Sequence, residues 1–300
     1  MNFYRAFGAR IRSDLSLPLP EMPADERIPD TSGEWISILE GEAALPYRDT
    51  VFTESLGIAS YAVEGGLVGI ESPRVGRILV RGEDELRFER AEGSDDGMLG
   101  SMVIGIAMIF LLKKRGFYTF HGSAAAKDAG AVLFLGEKGG GKSTTVAALT
   151  LRGWKSLCND LALLSPRGDI WPGSPIARLM PDAAAALFGL SGGEHDRYDG
   201  VPKRGVALDA QLEPAPLRAI CVLRPYPGER LNTLALKGFS KAKAVFPHVC
   251  SFKGVDEPET LLALAGRELD GVPVFVLERP IGKDSLNEVL DFIERLGLKG

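Results

Sequence analysis

The chain has no cysteine framework. Its three cysteines, Cys158, Cys221 and Cys250, are an odd number at wide spacing, and no C-x-x-C pair is present. That excludes a small disulfide-stapled fold and the common zinc patterns, and a reducing cytoplasm is the expected compartment. A basic surplus is also missing. The formal net charge is −5 and the isoelectric point about 5.4. This argues against general nucleic-acid binding, where a cationic face supplies most of the affinity. There is no internal repeat, and Met1-Asn2-Phe3-Tyr4-Arg5 is not followed by an apolar signal-peptide core. Long hydrophobic runs are nearly absent. The exception, Met98 to Leu112, spans about 15 residues, short of the roughly 20 that cross a bilayer. It ends in Lys113-Lys114-Arg115. A buried helix with a basic last turn accounts for it, and no membrane association is expected.

What remains is an ordinary globular composition, 45% apolar and 25% charged over 300 residues, enough for one large domain or two smaller ones. Residues 1 to about 32 read as a short helix, Asn2 to Leu15, and a proline-rich linker or surface strap around Pro18-Leu19-Pro20-Glu21-Met22-Pro23. From about 33 to 95 the pattern is short strands: Glu34 to Leu39, Gly66 to Glu71, and Arg77-Arg81 with Glu85-Arg90 flanking Gly82-Glu83-Asp84 as a hairpin. We therefore expect a small β-rich N-terminal domain over 1–97. Over 98–300 strands at 131–135, 155–159, 217–223 and 272–278 alternate with helices at 142–152, 181–189, 239–247, 257–267 and 284–296. That alternation predicts an α/β layered domain. Overall the chain is then α+β.

Gly136-Glu137-Lys138-Gly139-Gly140-Gly141-Lys142-Ser143 fits G-x-x-x-x-G-K-[ST], the phosphate-binding loop. The apolar run Ala131 to Leu135 enters it as a strand, and Thr144 onward leaves it as a helix. Gly136, Gly139, Gly140 and Gly141 let backbone N–H groups approach phosphate oxygens. Lys142 supplies charge for the β- and γ-phosphates, Ser143 a hydroxyl for Mg²⁺, and Thr144 the first helical turn, whose positive end faces the anion. The loop alone implies a nucleoside triphosphate with Mg²⁺.

Three further places carry chemistry. Asp160 follows the strand-like Trp154 to Asn159. A carboxylate there can hold Mg²⁺, position a water, accept a proton from a hydroxyl, or simply cap a turn. His121 ends the aromatic run Phe117-Tyr118-Thr119-Phe120. Its near-neutral pKa suits proton transfer, and a structural role suits it equally. Lys203 and Arg204 follow a polar glycine-rich loop, Ser191 to Gly200, where they are either solvated or poised to clamp phosphate. Arg178 is a weaker case of the same kind. His195 and His248 have no such context and read as structural.

Together His121-Gly122-Ser123, the loop Gly136 to Ser143 and Asn159-Asp160 resemble the HPr kinase/phosphorylase-like serine kinases. Arg178 to Asp182, Lys203-Arg204 and Pro216 to Ile220 look like the smaller HPr-kinase-related proteins. The resemblance covers roughly residues 98 to 300. It implies a P-loop kinase domain similar to those of HPr kinase and phosphoenolpyruvate carboxykinase, using ATP and Mg²⁺. By that resemblance Lys142 matches the phosphate lysine and Ser143 the metal-binding hydroxyl. Asp160 matches the catalytic aspartate, general base toward a serine hydroxyl, and His121 the active-site histidine. Two departures are visible. The family's first aspartate is Asn159 here, and the glycine-rich signature that HPr kinases proper carry after the acid pair is missing. The resemblance therefore favours a kinase of a peptide or protein serine, with a ribosomal precursor peptide of the lasso type as acceptor, over a kinase of HPr itself. An NTPase switch or a non-catalytic nucleotide sensor are the competing readings. The sequence gives neither the acceptor nor the oligomeric state, and a homo-oligomer is compatible with it.

Overall fold

Tyr4, Ala6, Ala9, Ile11 and Ser13 are buried and alternate with Arg5, Arg10 and Arg12 on either side of Phe7-Gly8. That is the two-residue period of a strand, and it overrides the helix expected over Asn2 to Leu15. The segment is a hairpin of β1 (Asn2–Ala6) and β2 (Ala9–Ser13), paired Asn2 to Ser13 through Ala6 to Ala9. Phe7 and Gly8 both have positive φ, 57° and 70°, the signature of the tight turn whose twist matches a hairpin.

The computed structural model describes residues 1–27, 35–43, 54–55, 60–94, 96–128, 130–190, 202–252, 255–256, 258–264, 266, 269–281 and 284–296. The loop Ser191 to Gly200 and His195 lie outside the described residues. The chain is mixed α/β and divides into two units, Met1–Phe117 with Ser251–Pro258, and Tyr118–Cys250 with Glu259–Gly300.

In the first unit β1 and β2 join β3 (Trp35–Glu40), β4 (Glu54–Ser55), β5 (Ser60–Glu64), β6 (Leu67–Ser72), β7 (Gly76–Arg81) and β8 (Glu85–Arg90). They form one sheet in the order β1-β2-β3-β8-β7-β6-β5-β4. The β7–β8 hairpin closes with Arg81 opposite Glu85, as the sequence predicts. The proline-rich segment is more than a surface strap. Leu15, Leu17, Leu19 and Met22 are buried, and Arg5 N–H donates to the Pro20 carbonyl at 3.0 Å.

The apolar run is a helix of 19 residues, Asp96–Lys114, longer than the run itself. It comprises α1 (Asp96–Met102), a π-helical turn (Val103–Ala107) and α2 (Met108–Lys114). Its length and composition would suffice to cross a membrane, yet half of it is buried within the protein. Leu99, Met102, Val103, Ala107, Met108 and Phe110 are wholly enclosed. Phe110 packs on Tyr61 and Phe252, with ring centroids 5.2 and 4.5 Å away. The helix therefore belongs with the N-terminal sheet, whereas the sequence placed residues 98 onward in the loop-bearing domain.

The second unit is built on β11. Its preceding strands are β9 (Tyr118–His121) and β10 (Ser123–Lys127), and β11 itself is Gly130–Gly136. All seven β11 residues are buried, the continuous apolar reading of a central strand covered on both faces. Helix α3 (Lys142–Thr150) follows. Then come β12 (Lys155–Cys158), β13 (Leu161–Leu164), β14 (Asp169–Trp171), β15 (Ile176–Leu179), α4 (Pro181–Phe188), β16 (Arg204–Ala207), β17 (Ala215–Tyr226) and β18 (Asn232–Leu236). Helices α5 (Phe239–Val245) and α6 (Pro258–Ala263), strand β19 (Val274–Pro280) and α7 (Leu286–Arg295) complete it. The expected strands and helices of this region all appear, displaced by a few residues at their ends.

Strands β11, β17 and β19 run parallel; β10 lies antiparallel beyond β11, and β12 antiparallel beyond β10. Val132 and Phe134 of β11 join Val146, Ala147 and Leu149 of α3 and Val289, Leu290 and Ile293 of α7 in one core layer. Leu133 and Leu135 face the other way, toward Phe120, Ala162, Leu164 and Ile170 of β9, β13 and β14. Strand β17 is long enough to serve both sheets. Its first residues pair with β14, and the remainder with β11 and β19. One face of β11 thus carries a helical layer and the other a second sheet, and both sheets deliver residues to the ends of β11 and β9.

Candidate functional site

The loop after β11 is shaped by close approaches. Gly136 has φ 143°, and a Cβ there would lie 2.5 Å from the Leu223 carbonyl oxygen of β17. Gly141 has φ 93°, and its Cβ would lie 2.2 Å from Arg279 Nη1 of β19. Gly139 also has positive φ, 82°. At Gly136 the obstruction is backbone and no side chain fits, at Gly141 it is the movable end of an arginine side chain, and L residues rarely adopt these angles. Gly140 N–H donates to the Glu137 carbonyl at 3.0 Å, tightening the turn.

Helix α3 starts on Gly141 as N-cap. Its first backbone bond is Thr145 N–H to the Gly141 carbonyl, 2.8 Å. The N–H groups of Lys142, Ser143 and Thr144 precede that bond and have no carbonyl of the helix to meet. Lys142 is only 6% exposed. Its amine donates to the carbonyls of Gly136 at 2.7 Å and Glu137 at 3.1 Å, folding over the mouth of the loop. Burial lowers its pKa, Asp160 opposes that shift, and Lys203 reinforces it.

Asp160 sits in the two-residue link between β12 and β13, at φ 65°. Leu161 N–H donates to the Asn159 carbonyl at 2.8 Å, and Gly122 N–H donates to the Asp160 carbonyl at 3.2 Å. These bonds tie the link to the β9–β10 junction. Strand β9 pairs with β13 so that His121 lies opposite Leu161. Topology therefore sets His121 beside Asp160 although 39 positions separate them in the chain.

Water reaches the His121 ring, yet the surrounding protein depresses its pKa. Burial is the largest cause and the Lys142 charge the next. Asp160 opposes both, through its charge and through the ring donating to its main-chain carbonyl, and Lys203 adds a smaller downward push. His121, Lys142, Asp160 and Lys203 are thus one electrostatic cluster, drawn from β9, α3, the β12–β13 link and the residue before β16. Ser143 and Thr144 lie on the first turn of α3, half-buried. Arg204 opens β16 opposite Leu179 of β15. Arg178 lies one register step away, opposite Gly205.

The site fits a polyphosphate with a hydrated cation. An ammonium has three donors, and among the described residues two loop carbonyls take the Lys142 amine. The third donor and the free helix N–H groups suit phosphate oxygens. Asn159 is 4% exposed, and its Nδ2 donates to Ser156 Oγ at 3.2 Å, while its Oδ1 is buried with no partner among the described residues. This acceptor belongs to the residue that directly precedes Asp160. Among the described residues no group of three or more His, Cys, Asp or Glu is assembled to hold a metal. Mg²⁺ keeps several waters and completes its shell with substrate phosphates. Ser143 and Asp160 would suffice as its protein contacts.

No family model and no curated protein matches the chain. Among solved structures it is similar to the Hpr(Ser) kinase/phosphatase from Coxiella burnetii, at 19% identity over 61% of this chain and 99% of that one, with a TM-score of 0.31. A likeness of that degree transfers neither residues nor activity, and the site stands on its own geometry.

Sequence reasoning missed one residue near the loop and read another as structural. Arg279, at the carboxyl end of β19, donates from Nη1 to the Gly140 carbonyl at 3.3 Å and from Nε to Ser285 Oγ at 3.1 Å. Burial lowers its pKa. Its position at a strand's carboxyl end was the available signal. His248 is the second. Its pKa is lowered by burial first, then by Lys142 and His121, with Glu137 opposing. Nothing local in the sequence marks it.

Proposed function

We propose that the protein is an ATP-dependent serine kinase that transfers the γ-phosphate to a serine hydroxyl of a peptide or protein, within a reducing cytoplasm. The observation that carries this reading is the convergence of His121, Lys142, Asp160 and Lys203 at the end of a glycine-rich loop. Phosphoryl transfer asks for little covalent chemistry from a protein. It needs an aligned hydroxyl, neutralised charge and a base near the attacking oxygen. Mg-ATP, when bound, supplies the phosphoryl group. Asp160 takes the serine proton as the new O–P bond forms and the bridging O–P bond breaks. Lys142 balances the charge released toward the loop. Lys203 balances charge on the acceptor side, next to His121, and His121 orients the carboxylate's neighbourhood through its bond to the Asp160 carbonyl.

The acceptor class rests on the sequence resemblance, which favours a ribosomal precursor peptide of the lasso type. The β-rich N-terminal unit is proposed to select it. The test is incubation with Mg-ATP and peptides ending in serine, read by mass spectrometry. A gain of one phosphate on serine supports the reading. Nucleotide binding with no turnover of any acceptor would favour a nucleotide sensor instead, a reading supported by the neutral Asn159 beside Asp160.

A further inference from the structure

The sheet of the first unit has two unlike faces. Phe88, Ile78, Ile70 and Tyr61 are opposed in one row across β8, β7, β6 and β5, and all four are buried. Phe110 of α2 packs on Tyr61, so the long helix covers this face. The residues between them along each strand project the other way. There Arg12, Ser37, Glu85 and Arg81 form one row across β2, β3, β8 and β7. Leu39, Arg87 and Leu79 form the next. Ser37 and Leu79 are buried in the floor of this face, and the arginines rise around them. The Arg81 and Arg87 side chains are 50% and 35% exposed, and Arg12 is half-buried.

Charge is not balanced within these two rows. Arg81 Nη1 and Arg87 Nε both donate to Glu85 Oε1, at 3.1 and 2.8 Å. Arg12 Nε donates to the neutral Ser37 Oγ at 2.9 Å, and among the described residues it has no ion pair. Three guanidinium groups thus share one carboxylate, in a chain whose net charge is −5. We propose that this face docks an extended acidic segment of the acceptor peptide, its carboxylates taken by Arg12, Arg81 and Arg87. That the segment belongs to the acceptor rests on the kinase reading. Neighbouring strands lie about 4.8 Å apart, so Arg12 and Arg81, three strands apart, are separated by about 14 Å. An extended peptide rises about 3.4 Å per residue, so carboxylates four positions apart span the same distance and project to one side. Each guanidinium fork can take a carboxylate through two parallel bonds. A nucleic acid fits less well, because Glu85 stands inside the row and would face an unbroken line of phosphates.

The experiment follows the fluorescence anisotropy of a labelled peptide of glutamine and threonine that carries two glutamates four positions apart. The full chain is added without nucleotide. The native protein should bind the peptide at low salt, and binding should weaken as salt rises. Replacing both glutamates by glutamine should weaken it about fivefold or more, the scale of two exposed ion pairs. The double variant Arg12→Gln, Arg81→Gln should do the same. Arg167→Gln, at an exposed arginine of the second unit, should change nothing. All three arginines lie outside the apolar core, so the variants should fold, and their melting temperatures check this. Binding indifferent to the glutamates or to the arginine pair, or an equal loss in Arg167→Gln, overturns the docking face. So does a single-stranded oligonucleotide of equal charge that binds as tightly. A second arm joins the acidic segment to a peptide ending in serine. KM for phosphorylation should fall about fivefold in the native protein and not in the double variant, and an unchanged KM overturns the acceptor as occupant. If the segment binds through Arg12 and Arg81 while no peptide gains phosphate, the docking face stands and the kinase reading falls.

Discussion

The Arg279 guanidinium occupies the space that a methyl group on Gly141 would need, with Nη1 2.2 Å from that position. The same guanidinium holds the Gly140 carbonyl. Loop and strand β19 are thus fitted to each other, and the fit can be measured. Gly141→Ala should destabilise by about 1–2 kcal/mol, mostly left-handed backbone strain, with a smaller part from displacing the mobile end of the Arg279 side chain. In an Arg279→Ala background the clash is gone and about 1 kcal/mol of backbone strain should remain. Urea unfolding of the four proteins in the cycle reads the coupling. Equal costs in both backgrounds would show that Arg279 does not shape the loop.

Asp160→Asn is the cleanest test of the base. Asp160 has φ 65°, and asparagine tolerates the left-handed region, whereas alanine would add strain. Nucleotide affinity should stay near native and phosphoryl transfer should fall by about 10²–10⁴-fold, the usual contribution of general base catalysis. Single-turnover assays with saturating Mg-ATP separate the two effects. Transfer at the native rate would remove Asp160 from the mechanism.

Acid should destabilise the second unit. His121 and His248 both have folded pKa values below the ordinary 6.5. Below pH 6.5 the unfolded chain therefore binds protons that the folded chain resists, so their contribution is intact above that pH and lost as pH falls through it. The slope is at most about 1.4 kcal/mol per pH unit for each histidine, and less for His121, whose charge water screens. Unfolding midpoints measured from pH 7.5 to 5.0 should drop, and the double variant His121→Gln, His248→Gln should flatten the profile. An unchanged slope in that variant would place the acid sensitivity elsewhere.

Lys113 and Asp256 form an ion pair whose side chains are 9% and 8% exposed. Asp256 also accepts from Phe252 N–H at 2.6 Å, and the Phe252 ring packs tilted against Phe110. Removing one partner leaves a buried charge uncompensated, so Lys113→Ala should cost about 3–5 kcal/mol. Lys113→Met with Asp256→Leu should cost much less, because no isolated charge remains. Thermal unfolding of the single and double variants decides it. An equal cost would mean that packing, rather than charge, is what Lys113 contributes.

Much of the site was legible in the residues. The loop from Gly136 to Ser143 has a pattern that only a few folds need, and both its entering strand and its leaving helix appear where expected. The β7–β8 hairpin was equally plain, since Gly82-Glu83-Asp84 separates two alternating strands. Boundaries were less plain. The helix read over Asn2 to Leu15 is a hairpin, because its alternation is interrupted by two turn residues and mimics a looser period. Strands β10, β13, β14, β15, β16 and β18 went unread. They are three to five residues long, too short for a periodicity to stand out.

Local chemistry made the loop, its lysine and its strand–turn–helix setting, because each depends on residues adjacent in the chain. Neighbours across the sheet had to come from the fold. His121 meets Asp160 through the register of β9 with β13. Arg279 reaches Gly140 from the parallel strand β19, and Val249 bridges Phe120, the residue before His121. None of these pairs lies within one helix or hairpin, so no sequence period could announce them. The sequence by itself determined a glycine-rich loop between a buried strand and a helix. Tertiary structure decided which acid, which histidine and which arginine share its end of the sheet.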